Sequence, residues 1–482
     1  MNLHIKNFGG IKEGTINISK QFYTFVGYNN SGKTYVSHLL WSIFNNNSIS
    51  QFLETEKFDE YKIETLSSLK INKEIVNSIF TKYATFIKYQ ILPKTFNIEV
   101  DHFILKDLEL IFEIDLTNLE QGEISASSGI QFNEQQIQFI ELKKEKKSLL
   151  IHFKDIDINS LPKNYKISKK EFSNNIKQYR QKVFINSILN SSINGGFNDT
   201  IFLPSERKSY TVFYKYFFRI EKERRKEISD FISNQFLMIE KKKKEKLDLK
   251  QLKSIVESPY TQPADELLSK MYKLNEERNE NKFDKIFLKE LENILGGEII
   301  TSENEDKSSI SFNFKIKKNS HELKMNLSSS SINQLSALYF YFKYWMKETN
   351  NFLIIDEPEE NLHPKNQISL VELLIKFSNI AQNKVIIATH SPLVTEIINN
   401  YLILGQLDDK EKVAKELGLS DTFLNPETTG LYFFNGETIQ EYTASTYGTI
   451  FIDFKKEQDK INNIGESLGE LMYNQVQNRK KK

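Results

Sequence analysis

Three short stretches of the chain hold the residue types that phosphate chemistry needs. The first is Gly27-Tyr28-Asn29-Asn30-Ser31-Gly32-Lys33-Thr34, which matches the spacing G-x-x-x-x-G-K-[ST]. Glycines at the fixed positions let a loop curl so that backbone N–H groups face anionic oxygens. A helix opening at Lys33 adds the positive end of its dipole. At average composition the pattern arises by chance on the order of once in a hundred chains this long. The second stretch is the apolar run Asn351–Ile355 closed by Asp356 and Glu357. The third is Lys384–Ala388 closed by Thr389 and His390.

Together these residues describe a nucleoside triphosphate site, with ATP and Mg²⁺ as the expected ligands. Gly27, Asn29, Asn30, Ser31 and Gly32 would cradle the phosphates, and Lys33 would reach the β- and γ-phosphates. Thr34 and Asp356 would hold Mg²⁺, while Glu357 would orient and activate the attacking water. His390, at a strand tip, would sit beside the γ-phosphate. Taken singly, each stretch has a plainer reading: a glycine turn, a core strand ending in a solvated acidic turn, a lone histidine.

The elements that must position them are legible in outline. Leu3–Phe8, Thr15–Ile18 and Gln21–Val26 read as strands, the last rich in aromatic and β-branched residues and ending at Gly27. A helical pattern runs from Lys33 past Trp41. Between about 95 and 155 the segments FNIEV, LELIFEID, IQFIEL and SLLIHF read as strands. From about 214 to 290 the charges become dense and the apolar spacing turns helical, interrupted by Pro259 and Pro263. Strands return at ISFNFKIKK, NFLIIDE and KVIIATH, and Pro364–Ala381 has the length of a helical crossover between the last two. That crossover places Glu357 and His390 on one edge of a sheet.

Two further features are open between readings. Ser328, Ser329, Ser330 and Ser331 precede a helix over Leu335–Trp345. Serines there are ordinary N-caps, and they are also what an anion-binding helix end requires. Arg207, after a strand, could reach phosphate or a neighbouring subunit, or pair at the surface with Glu206.

Composition sets the bounds. The chain has 482 residues, a formal net charge of +1 and no cysteine. That length suggests several units or one large domain with insertions. The balanced charge demands neither nucleic acid nor membrane globally. The lack of cysteine excludes disulfides and thiolate metal sites. The opening MNLHIKNFGG lacks the pattern of a secretory signal, and no stretch approaches a membrane span. A cytoplasmic protein is expected.

The order of these stretches resembles that of ABC ATPases: Walker A, signature, Walker B with D-loop, switch histidine. The segment EPEENLHP, Glu357 to Pro364, resembles the RecF, SMC and OLD side of that superfamily and looks most like the stand-alone ATPases grouped with the OLD proteins; LHIKNFGGIKEG, FLPSERKS at Phe202 to Ser209 and ILGGEI at Ile294 to Ile299 resemble that same OLD group. Stand-alone OLD-like ATPases of this kind occur in bacterial anti-phage systems such as PARIS and Septu. The resemblance covers both ends of the chain well and the middle poorly. It implies an α/β fold: an ABC-ATPase head, that is, a P-loop NTPase with a mixed or parallel sheet core and an antiparallel β lobe, carrying a helical insertion. The implied division is 1–205 for the first part of the head, 206–295 for the insertion and 296–482 for the second part with its tail. The signature of such proteins reads serine, serine, glycine; here the glycine position holds Ser331, which points to slow hydrolysis. Ser329, or Ser328 in the other register, with Ser330 beside it, would touch ATP held by a partner head. A Q-loop glutamine has no distinguishing context.

The resemblance implies a homo-oligomer built through the heads, acting as the sensor or regulatory ATPase of an anti-phage system that controls a separate effector. Nucleic acid is a further candidate partner. A RecF- or SMC-like DNA repair ATPase and an ATP-bound scaffold that sequesters a toxin are the competing readings; a transporter subunit fits the insertion and the EPEENLHP loop poorly. OLD nucleases carry a Toprim domain after the switch histidine. Here the 92 residues after His390 (482 minus 390) hold no compact acidic cluster, so the chain is expected to carry no nuclease of its own and the destructive chemistry to be supplied in trans. The Lys241–Lys246 run could touch phosphates, though a solvated helix face explains it as well.

Overall fold

The computed structural model describes residues 1–58, 68–132, 135–155, 169–193, 195–240, 260–274, 278–281, 285–303, 310–443 and 452–480. Pro259 and the Lys241–Lys246 run lie outside the described residues.

The strands are β1 (Asn2–Phe8), β2 (Ile11–Asn17), β3 (Phe22–Gly27), β4 (Ser68–Lys70), β5 (Glu109–Glu113), β6 (Ile124–Phe132), β7 (Gln135–Lys144), β8 (Leu150–Asp155), β9 (Asp199–Leu203), β10 (Gly297–Glu303), β11 (Ile310–Ile316), β12 (Glu322–Lys324), β13 (Asn351–Asp356), β14 (Lys384–Thr389), β15 (Thr429–Phe434) and β16 (Thr438–Glu441). Nine form the main sheet, in the order β5-β1-β2-β16-β15-β3-β14-β13-β9. The half from β15 to β9 is parallel, whereas β1 pairs antiparallel with β2 and β5. Two smaller antiparallel sheets, β4-β8-β7-β6 and β10-β11-β12, lie apart from it. This is the α/β fold with a large mixed sheet that the sequence implied.

Strands covered on both faces read as unbroken apolar runs, and β3, β13, β14 and β15 are buried along their whole length. Their alternate residues feed two cores. Phe25, Ile354, Ile386 and Tyr432 pack with Trp41 and Phe44 of the helix Lys33–Phe44 on one face. Val26, Leu353, Ile387 and Leu431 pack with Leu374 and Phe377 of the crossover helix Pro364–Ser378 on the other. The helices Gln262–Lys273 and Ile286–Leu295 add Leu267, Met271, Phe287 and Leu291 to this second core.

Two expectations are corrected. FNIEV forms no strand: Phe96 closes a short helix begun at Leu92, and Asn97 caps it in the left-handed region at φ 53°. Arg207 neither meets solvent nor pairs with Glu206. It is fully buried. Its guanidinium donates to the carbonyls of Gln334 (2.9 Å), Pro204 (2.8 Å), Asp356 (2.6 Å) and Glu357 (3.2 Å). Burial pulls its pKa down to about 10, against the support of Asp356 and three glutamates. A buried charge persists only when its donors are met, and here they tie the β9 tip, the β13 tip and the helix Ser330–Phe340 into one unit.

At the opposite end of β9, Glu266 borders a polar cavity of about 350 Å³ that also takes in Asp199 and Lys270. Lys270 pairs with Asp199 at 3.1 Å. Burial raises Glu266 from 4.5 to about 7; Lys270 opposes the shift and Asp199 adds to it.

Replacing Arg207 with Met removes one donor from each of four carbonyls, of which Pro204 and Glu357 keep backbone N–H partners. The expected loss is about 3 kcal/mol or more, read from the urea midpoint. For Glu266 the folded pKa lies above the unfolded one, so the folded chain keeps a proton that the unfolded chain releases. That stability is whole below about pH 4.5 and is lost as pH rises through about 7. Glu266→Gln therefore raises the melting temperature at about pH 8 by roughly 1–3 °C and leaves it nearly unchanged at about pH 5. An equal shift at both pH values would contradict the assignment.

Candidate functional site

Register decides which side chains meet. Thr389 lies opposite Val26, Asp356 opposite Ala388, and Ile355 opposite Leu203. The parallel tips of β3, β14, β13 and β9 therefore share one edge, where ligands of α/β sheets bind. The connection after β3 is the glycine-bearing loop. Gly27 has φ 149°, Asn30 φ 58° and Gly32 φ 95°. A Cβ on Gly27 would stand 2.0 Å from the Phe434 carbonyl oxygen, and one on Gly32 2.7 Å from Ile11 Cδ1. Only glycine fits either place. The loop opens the helix Lys33–Phe44 without a side-chain cap, so its first N–H groups remain available to an anion.

These elements enclose a cavity of about 520 Å³ bordered by the loop from Asn29 to Tyr35 together with Asp356, Glu357, Ala388 and His390. The volume is in the range of small-molecule sites. Lys33 is buried, and its ammonium donates to the carbonyls of Gly27 (3.1 Å) and Tyr28 (2.8 Å). It stands 3.4 Å from His390 Nδ1. Burial brings Lys33 down to about 8, while Asp356, Glu357 and Glu359 favour its charged form. Thr34 Oγ1 donates to Asp356 Oδ2 at 3.0 Å. The other oxygen, Asp356 Oδ1, is buried without a partner. Burial lifts Asp356 to about 7, opposed by the Thr34 hydroxyl and Arg207. A hydroxyl oxygen beside a carboxylate with one orphaned oxygen is a donor set that suits Mg²⁺.

Glu357 follows at φ 45°, its N–H bonded to the Ala388 carbonyl at 2.8 Å. Its Oε1 stands 3.5 Å from His390 Nε2. Burial and the nearby Lys33 lower the His390 pKa, and Glu357 opposes them. The imidazole thus lies between the lysine and the carboxylate. The structure brings together Asn29, Asn30, Ser31, Gly32, Lys33, Thr34, Asp356, Glu357 and His390.

Ser328, Ser329 and Ser330 do not border this cavity. Ser329 caps the helix Ser330–Phe340, accepting from the Ile332 N–H, and its hydroxyl meets that of Ser331 at 2.7 Å. Ser329 and Ser330 are exposed. Of these serines, Ser329 is the N-cap of the helix. No glutamine among the described residues borders the cavity. Ser205 and Glu206, after β9, do not border it either, though the Glu206 carboxylate adds to the upward shift of Asp356. Gln334 reaches the site only from behind, through the Glu357 carbonyl (3.4 Å) and Glu360 Oε2 (3.2 Å).

Sequence reasoning missed Arg207 as an interior clamp, and it missed Glu359. The Glu359 carboxylate is mostly buried and bonds Thr389 and His390. Nothing in E-P-E-E distinguishes this glutamate from its neighbours.

Comparison with solved structures finds SMC heads at low identity. The Pyrococcus furiosus Smc head domain with an extended coiled coil, bound to the C-terminal domain of ScpA, has 12% identity and a TM-score of 0.31, covering 96% of this chain and 98% of that one. An SmcHead bound to the C-winged helix domain of ScpA has 13% identity and a TM-score of 0.34, covering 92% and 97%. The SMC head domain from Thermotoga maritima has 13% identity and a TM-score of 0.30, covering 91% and 97%. No curated protein matches the chain. A family model described as an AAA ATPase domain (AAA_15) matches residues 1–395, from the first strand through the glycine loop, the acidic pair and His390. The chain belongs to this AAA ATPase domain family.

Proposed function

We propose that the chain binds ATP with Mg²⁺ and hydrolyses it, and that it does so as a closed pair of heads. The observation that carries this reading is the convergence of Lys33, Thr34, Asp356, Glu357 and His390 on one cavity. The loop N–H groups and Lys33 bind and neutralise the triphosphate. Thr34 and Asp356 would hold Mg²⁺, which when bound offsets charge on the phosphate oxygens. Glu357 orients the attacking water and takes its proton. His390, with Nδ1 toward Lys33 and Nε2 toward Glu357, keeps both side chains turned toward the γ-phosphate end. Ser329, exposed at its helix end, is free to face the nucleotide of a second copy, and Ser328 and Ser330 flank it.

For the biological role we infer a regulatory ATPase of an anti-phage system whose effector is a separate protein. The support is the resemblance of EPEENLHP and FLPSERKS to OLD-like stand-alone ATPases. The placement of the tail adds to it: β15 and β16 lie inside the main sheet, so those two tail strands serve the head itself. Among the described residues no helix is long and apolar enough to cross a membrane.

Three measurements test the ATPase reading. Lys33→Ala should abolish binding of a fluorescent ATP analogue. Glu357→Gln should retain that binding while phosphate release falls at least ~100-fold; wild-type turnover in this variant would remove Glu357 from the role of base. Light scattering should show a larger species on adding a non-hydrolysable ATP analogue, and Ser329→Arg should prevent it. Unchanged association in that variant would place the contact elsewhere.

A further inference from the structure

Glu359 does not border the cavity, yet the turn that carries His390 is built on its carboxylate. Glu359 Oε1 accepts the Thr389 hydroxyl and, at 3.3 Å, the His390 backbone N–H. Thr389 is fully buried, and its Oγ1 in turn accepts the Ser391 N–H at 2.9 Å. One carboxylate oxygen therefore sets the backbone at 389 and 390 directly, and that at 391 through the threonine. The second oxygen, Oε2, is buried without a partner. On its own side Glu359 is held by the turn after β13, where the Leu362 N–H meets its carbonyl at 3.1 Å. The loop after β13 and the loop after β14 are thus joined by a largely buried carboxyl contact at their base, and the imidazole of His390 stands between Lys33 and Glu357.

A carboxylate is a demanding choice at such a place. An apolar side chain would avoid its desolvation, and charged acceptors make hydrogen bonds roughly twice as strong as neutral ones. The gain here is directional: two donors of the adjacent loop are fixed by one oxygen. The negative charge also favours the charged forms of Lys33 and Arg207.

We propose that Glu359 is a positioning residue for ATP hydrolysis, acting through Thr389 and the His390 backbone to hold the His390 imidazole against the Lys33 and Glu357 side chains. This rests on the reading of His390 as a member of the hydrolytic site. Glu359 touches neither nucleotide nor water in that role, so its loss should lower kcat and leave KM for ATP nearly unchanged.

The test is an epistasis series on the full chain, with kcat and KM for ATP measured at saturating Mg²⁺ for Glu359→Ala, Glu359→Gln, Thr389→Val, His390→Ala and the double variant Glu359→Ala with His390→Ala. His390→Ala should lower kcat at least ~10-fold. Glu359→Ala should lower it by a similar factor with KM within ~3-fold of wild type. Glu359→Gln keeps an acceptor oxygen at the same reach and should restore most of kcat. Thr389→Val keeps the shape, guards against a fold defect in the alanine variant, and should fall between the two. The double variant should be no slower than His390→Ala alone. If the two losses multiply instead, Glu359 does not act through His390, and the inference is overturned while the ATPase reading stands. If Glu359→Ala and Thr389→Val both keep wild-type kcat, it is likewise overturned. If His390→Ala itself turns over ATP at the wild-type rate, the reading of His390 fails first and takes the inference with it.

Discussion

The site depends on a constraint of register. A loop that curls around phosphate is of use only if an acid, a metal-binding oxygen and a polar cap stand at the height where the phosphates end. Parallel pairing of β3, β14, β13 and β9 sets that height within one residue. A slip of a single residue would turn Asp356 into the opposite face of the sheet. Two apolar cores hold the register, because each strand is gripped on both faces by side chains of opposite parity.

Buried charge then does locally what the cores do globally. Among the described residues Arg207 has no carboxylate oxygen in hydrogen-bond contact; its bonds go to four carbonyls, three at or just past the tips of β9 and β13 and one within the helix Ser330–Phe340. Desolvating such a group offsets much of what its hydrogen bonds return, but the group allows one arrangement of those elements, and removing it takes a donor from each of those carbonyls. Lys384 is a comparable case at the opposite end of the sheet. It is buried, donates to the Ile18 carbonyl at 2.8 Å and lies 4.4 Å from the Phe44 ring centroid. Burial alone brings its pKa to about 7.

What the sequence made legible were features whose signal is local. The glycine loop, the apolar runs at 351–355 and 384–388, and the crossover between them can be recognised without knowing what they touch. The misreadings share a cause. Ser205-Glu206-Arg207 looks like a solvated turn because its charges are adjacent, and only the carbonyls of Gln334, Asp356 and Glu357, more than a hundred positions away, make Arg207 an interior residue. FNIEV has strand composition, but Pro93 near the start of a short helix and Asn97 at its end decide otherwise. The aromatic run Gly430–Phe434 has strand composition, but nothing local to it says that it pairs with β3, about four hundred residues earlier. Glu359 was hidden among like neighbours because its burial comes from the loop after β14.

The backbone at Glu357 has a consequence of a different kind. A residue with a Cβ held at φ 45° carries strain on the order of 1 kcal/mol that glycine would not, and asparagine bears it better than glutamate. Either replacement would keep the N–H that bonds Ala388. The strand tip would then fold more firmly with a side chain that cannot take a proton from water. With Glu357 as the proposed base, thermal robustness and turnover select different residues at this position. Variants sorted for heat resistance alone would drift toward Gly or Asn at 357, and a population that keeps glutamate there is one held by its chemistry rather than by its fold.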